Sequence, residues 1–292
     1  MWYSGTLFPF SGLHCASFLG IVEIVVSLIN MGCCDPNGED FQGHTPLAWA
    51  AWKGHEEVVK VLLGKEEVDP NKPDNDGKTP LSHAAERGHE TVVKILLRRE
   101  EVDSNKSDDW GRTPLLCAAR DGRDEVVERL LGQEDVNSDK PDDNGRTPLS
   151  HATEWGCEKV VKVLLERKEV DPARPNSNGR TSISYAAGYG HVGLVKILLG
   201  RGGVNPDESD TDGRTPISHA AELGNEEVVK ILLGREEVNP DKPDNNGETP
   251  LSHALRNRRD GVIALLDQLE PAPISRKRRR LNPAHPLSHL WL

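Results

Sequence analysis

The chain has 292 residues, 36% of them hydrophobic and 28% charged, with a formal net charge of −11. The stretch 271–292 holds five cations (Arg276, Lys277, Arg278, Arg279, Arg280) and no acid, so residues 1–270 carry −16. Acidity of that order repels phosphates and excludes nucleic acid as a fitting partner. The apolar run at 18–29 is short and interrupted by Glu23, which excludes a membrane span there.

The tripeptide G-x-T begins at Gly43, Gly77, Gly111, Gly145, Gly179, Gly213 and Gly247, always 34 residues apart and without insertion. Stepping back 34 from Leu47 reaches Leu13, and LHCASFLGIVEIVVSLI (13–29) fits the same pattern with a degraded opening. The chain therefore reads as about eight repeats, starting near residues 9, 43, 77, 111, 145, 179, 213 and 247. Residues 1–270 form the array, and the basic tail 271–292 is expected to be disordered.

One unit serves for all. Thr79 is a good helix N-cap, and Pro80 takes the first helical position, where a missing N–H costs nothing. LSHAAER then predicts a short helix ending at Gly88, a natural left-handed terminator. HETVVKILL predicts a second helix with Val92, Val93, Ile95, Leu96 and Leu97 as its apolar residues. Glu56, Glu90, Glu158 and Glu226 open second helices, where the helix dipole favours acid. Each precedes a lysine (Lys60, Lys94, Lys162, Lys230) by four residues, which predicts ion pairs along the helix. The remainder, such as EEVDPNKPDNDG at 66–77, predicts turns or a short hairpin. Helices of about eight residues are marginal alone. They must bury their Val, Ile and Leu faces on the next unit, which makes an all-α solenoid.

A tetratricopeptide repeat has the same period, but its two long helices leave no room for a dozen helix-hostile residues per unit. The T-P-L helix start and the long Asp/Asn/Gly/Pro connection resemble the ankyrin repeat, over about nine tenths of the chain. The pattern departs from the family's T-P-L-H. Ser82, Ser150, Ser184, Ser218 and Ser252 follow the Leu or Ile, and His83, His151, His219 and His253 stand one place later. Only His14 keeps the family's place. The family's G-A-D-V-N turn also changes, to forms such as GREEVNP (234–240), with Gly64, Gly132, Gly200 and Gly234 placed earlier. The T-P-L-S-H/W-A-A variant is similar to ankyrin arrays of filamentous fungi, many of which form the sensor half of NACHT-type nucleotide-binding proteins.

The resemblance implies a non-catalytic module that binds proteins through its hairpin tips and concave helix face. Those are the stretches that vary between units, and Phe41, Trp52, Trp110, Trp155, Tyr189 and Leu223 occupy them. Arg112, Arg146, Arg180 and Arg214 form a row beside them and are also able to pair with Asp109 or Asp143. No cofactor, metal or small-molecule substrate is expected, and the partner's identity is open. Five cysteines without C-x-x-C spacing, and no lysine or arginine before Lys53, fit a cytoplasmic or nuclear protein. Two alternatives stand beside this reading. One is a detached ligand-sensing portion of a NACHT-type receptor, and the other a nuclear regulator imported through R-K-R-R-R (276–280).

Several motifs reduce to simpler readings. G-Y-G-H-V-G (188–193) matches a dinucleotide fingerprint but falls in an inter-helix turn with no strand before it. The histidine column is expected to pack between units, because no Cys or acid stands next to its members. Asn105-Lys106-Ser107 is a sequon that matters only in a secreted chain, and Glu66–Glu67 lies in a solvated connection. The unit beginning near Asn176 has Ser182 for proline and Gly188, Gly193, Gly202 and Gly203 in or near its helices, so it is expected to be the soft one. The last unit is worn, with Arg258 for the turn glycine and Leu255 for alanine. Such wear is expected of a cap or of a piece of a longer chain.

Overall fold

The computed structural model describes residues 10–268. Among them stand sixteen α-helices and no strand. They pair as α1 (Gly12–Leu19) with α2 (Val22–Met31), α3 (Pro46–Lys53) with α4 (Glu56–Leu63), α5 (Pro80–Arg87) with α6 (Glu90–Leu96), and α7 (Pro114–Arg120) with α8 (Asp124–Leu131). The second half repeats the scheme: α9 (Pro148–Glu154) with α10 (Glu158–Leu165), α11 (Ser182–Gly188) with α12 (Val192–Leu199), α13 (Pro216–Leu223) with α14 (Glu226–Leu233), and α15 (Pro250–Arg256) with α16 (Asp260–Asp267). Odd-numbered helices pack on the next odd-numbered helix and even-numbered on the next even-numbered, so each unit meets the same kind of neighbour twice.

The starts are set as the residues imply. Thr45, Thr79, Thr113, Thr147, Thr215 and Thr249 each accept the backbone N–H three residues on, with proline at the first helical position. Thr181 is the exception: its hydroxyl meets Ser184 Oγ at 3.1 Å and caps no backbone group. Four first helices end on a left-handed glycine such as Gly88 (φ 79°), and in three more the left-handed glycine stands one residue later. At the worn last unit Arg258 adopts φ 55° in that place, a conformation that costs a side-chain-bearing residue about 1–2 kcal/mol.

The core is a continuous column. Leu47, Leu81, Leu115, Leu149, Ile183, Ile217 and Leu251 repeat at one position of the first helices, and Val58–Val59, Val92–Val93, Val126–Val127, Val160–Val161 and Val228–Val229 at one step of the second. All are buried, and each contributes roughly 1.5–3 kcal/mol by leaving water.

A second seam joins the turn tips. One backbone bond crosses each of six joints: Asn75 N–H to Gln42 C=O, Asp109 to Asp76, Asp143 to Trp110, Ser177 to Asn144, Thr211 to Asn178 and Asn245 to Asp212, all at 2.9–3.0 Å. The repeat glycine makes this possible. A Cβ on Gly77 would sit 2.7 Å from the Asp109 nitrogen, and Gly77 also has φ 76°.

The ion pairs along the second helices differ from expectation. Glu158–Lys162 forms at 2.6 Å as read. Lys60 instead takes Glu57, Lys230 takes Glu227, and Glu90 reaches across to Arg129 at 2.6 Å. A cation on the next unit, or a glutamate one residue closer, competes effectively when the gain per pair is only a few tenths of a kcal/mol.

Candidate functional site

Each described connection but one is closed by an acid, and Asn176 takes that place in the remaining one. Asp74 Oδ1 accepts the N–H groups of Asp76 (3.0 Å) and Lys78 (2.9 Å), while Oδ2 is 2.7 Å from His83 Nε2. Asp142–His151 (2.9 Å), Asp210–His219 (2.8 Å) and Asp244–His253 (2.9 Å) repeat the pair. Asp40 receives Trp49 Nε1 at 2.9 Å in the same manner. Asp108 stands nine residues before Cys117, and Arg112 Nε takes its free oxygen at 2.8 Å. An acid thus does recur beside the histidine column, nine residues upstream. Each histidine bonds the acid nine residues upstream and also meets the neighbouring unit: the His83 ring lies 5.3 Å from that of His44, and Arg214 Nη2 stands 3.4 Å from His253 Nδ1.

Asp40, Asp74, Asp142, Asp210 and Asp244 are all held below the usual carboxylate range. Burial pushes the Asp142 carboxyl up, but the bonds from His151 and the Arg146 N–H more than offset it and leave it below the usual range. Asp210 behaves alike, with His219 and the Arg214 N–H. Cys117 is a poor nucleophile, since burial pushes its thiol up to about 12.

The arginine row is largely committed inside the array. Arg146 meets Glu154 at 3.1 Å and Arg214 meets Glu222 at 2.9 Å, eight residues on. Lys78–Glu86 (2.6 Å) and the reversed Glu248–Arg256 (2.5 Å) occupy the same two places. Arg112 pairs with Asp108 rather than the expected Asp109 and lies over the Trp110 ring, 4.4 Å from its centre. Arg180, facing Gly188 where three other units have Glu86, Glu154 and Glu222, lies over Tyr185 at 4.3 Å.

The large apolar residues separate into two groups. Trp52 is half-buried, stacked on Phe18 with centroids 6.4 Å apart, edge-on to Trp49, and flanked by Lys53 and Arg87. Phe41 (71%), Trp110 (46%), Trp155 (65%), Tyr189 (52%) and Leu223 (50%) are exposed. Trp155, Tyr189 and Leu223 share one place, immediately before the inter-helix glycine, in three consecutive units. Tyr189 stacks on His191, and its hydroxyl reaches Glu154 at 3.3 Å.

A family model for ankyrin repeats, written as three copies, matches residues 7–74, 66–142, 98–176, 133–210 and 183–276. The chain belongs to the ankyrin-repeat family. No curated protein matched it. Ankyrin repeats in general mediate binding of protein partners and are typically non-catalytic. In this ankyrin array the dinucleotide-like G-Y-G-H-V-G spans the end of α11 and the start of α12, with Gly190 as the left-handed turn residue. No helix among the described residues is long and apolar enough to cross a membrane. Two clusters of the array bring three possible ligand atoms within 4.8 Å of one another, His44–Asp74–His83 and Asp244–Glu248–His253. The import candidates Arg276, Lys277, Arg278, Arg279 and Arg280 lie outside the described residues.

Proposed function

We propose that this ankyrin array is a non-catalytic module that binds a protein through the row Trp155, Tyr189 and Leu223, with the tip residue Trp110 beside it. One observation carries the reading: three large apolar side chains stand at one place of consecutive units, each half or more exposed. The core needs none of them, and exposed rings in a row mark contact surfaces. A standard interface of ~800 Å² per partner covers about three units, the span of this row. The arginines, already paired, orient the partner more than they add affinity. Acidity argues against nucleic acid. The buried Cys117 and the bonded aspartates leave little for catalysis, so neither nucleotide hydrolysis nor stabilisation by ATP or NAD is expected. The cationic tail supports delivery to the nucleus from the cytoplasm.

Trp155→Ala tests the site. Loss of a well-buried interface tryptophan costs about 2 kcal/mol or more. A protein captured by the wild-type array is expected to bind the variant at least tenfold more weakly, with an almost unchanged melting temperature. If the variant unfolds while its folded fraction binds as before, the ring packs between units and the site is misplaced.

A further inference from the structure

Among the described residues, two acids near the start of the array, Asp40 and Asp74, share one histidine, His44. Asp108, Asp142 and Asp244 each have an arginine within 4 Å, and Asp210 has a single histidine, His219. Asp40 and Asp74, with side chains 6% and 3% exposed, have only histidines: His44 on both and His83 on Asp74. The cause is local. The place after the repeat glycine holds Lys78, Arg112, Arg146, Arg180 and Arg214 in five later units and Glu248 in the last, but His44 here.

His44 is itself short of partners. Its Nε2 stands 3.4 Å from Asp74 Oδ2 and its Nδ1 3.4 Å from Asp40 Oδ1. Neither contact is a hydrogen bond, and the buried Nδ1 has no hydrogen-bond partner. The His83 Nδ1 is likewise buried without one. Two buried carboxylates and two imidazoles thus converge with no lysine or arginine to balance them, and leaving such charge uncompensated is costly.

Against the expectation from sequence that no metal is bound, the geometry points to a zinc site formed by His44 Nε2, Asp74 Oδ2 and His83 Nε2. The three atoms lie within 4.8 Å of one another. Bonds of about 2.0–2.2 Å in a tetrahedral shell place ligand atoms about 3.3–3.5 Å apart. The His44–Asp74 separation of 3.4 Å meets this already. The Asp74–His83 contact of 2.7 Å opens by about 0.6 Å to reach it. Two nitrogens and one carboxylate oxygen suit zinc, whereas calcium and magnesium want an all-oxygen shell. Asp40 completes the arrangement from behind. Its Oδ1 faces His44 Nδ1, the place from which a carboxylate orients a zinc-bound imidazole. Trp49 Nε1 holds its other oxygen at 2.9 Å. The fourth position is left to water or to a side chain of a partner. The second cluster, Asp244–Glu248–His253, is a poorer place for a cation, because Arg256 already sits 2.5 Å from Glu248 and Arg214 3.9 Å from Asp244.

The test uses the full chain, titrated with zinc chloride and separately with cobalt(II), whose visible spectrum reports tetrahedral coordination. His44→Lys is the variant, since lysine holds the equivalent place in the next unit and the fold tolerates it there. At a hundredfold excess of zinc over Kd the wild type is expected to melt about 5 °C higher or more. It should also give an intense tetrahedral cobalt band without the thiolate charge-transfer absorption that Cys33–Cys34 binding would add. His44→Lys should lose both responses and, without metal, melt close to the wild type. An equal zinc shift in His44→Lys overturns the site, as does a wild type without a zinc response or a cobalt signal removed by Cys33→Ser/Cys34→Ser and not by His44→Lys.

Discussion

Asn176 donates its side-chain amide to the Tyr185 hydroxyl oxygen at 2.9 Å, in the place where four other units join an aspartate to a histidine. Both members differ from the usual pair, and the bond survives. Tyr185 is buried, so Tyr185→Phe leaves the amide without its partner, at a cost of about 1 kcal/mol. Denaturant unfolding should register that loss. The exposed Tyr189→Phe should stay within about 0.5 kcal/mol of wild type. Equal effects would show that the Asn176 bond contributes nothing net.

The pairs eight residues apart tolerate reversal, as Glu248–Arg256 shows against Arg146–Glu154. Glu154→Arg alone sets two cations together and should destabilise by roughly 1 kcal/mol, given that the pair is only partly exposed. Adding Arg146→Glu should restore most of that. The buried His151 Nδ1 has no partner, and a glutamate at 146 would face it much as Glu248 faces His253 Nδ1 at 3.6 Å. A double variant no better than the single one would show that the two places are not equivalent between units.

Acid should unfold the array in two stages. Burial lowers the His89 value below its usual one, so the unfolded chain takes that proton first and stability begins to fall below about pH 6.5. Asp142 and Asp210 titrate lower when folded. Their contribution is complete above about pH 4 and is lost as the pH drops through the folded values. Asp139, pushed up by burial, opposes them in part. Melting temperature plotted against pH should be level near pH 7–8, then slope, then drop steeply. Rising stability between pH 6 and 4 would contradict this assignment.

The unit beginning near Asn176 should open before its neighbours. Elsewhere an asparagine clamps adjacent connections, as Asn71 does through the Glu101 carbonyl and the Asp103 N–H, and Lys106 adds a bond to the Asn71 carbonyl. Ala173 and Glu208 stand at these two places here, and a cavity of about 120 Å³ lies between them, lined also by Ile183, Gly203 and Val204. Hydrogen exchange should find its amides less protected than those of 113–131 and 215–233. Equal protection would mean that the close packing of Gly188 against His219 compensates.

Period, helix pairs, caps and core were legible because they depend on residues near one another in sequence. Thr79, Pro80 and Gly88 act within one turn of where they stand. The carboxylate ladder was not legible by the same means. Asp74 meets His83 only because the connection folds back across Gly77, and adjacency in sequence gives no sign of that. Arg112 was one residue from its true partner, Asp108 in place of Asp109, because the turn aims the first aspartate inward. The variable positions pointed to Trp155, Tyr189 and Leu223 as exposed, but composition gave no warning that Trp52 would sit among Phe18, Trp49 and two cations.

The few hydrogen bonds that cross each pair of turn tips, one backbone bond with a side-chain bond beside it at some joints, give the array the character of a spring with similar coils. Among the described residues no strand spans two joints, so no joint shares its load with the next. Drawn out by its two ends, the chain should release one coil at a time from whichever joint is weakest. Each release would pay out about 34 residues, roughly 110–120 Å of slack, and the joint at Ala173 and Glu208 would be an early one to part.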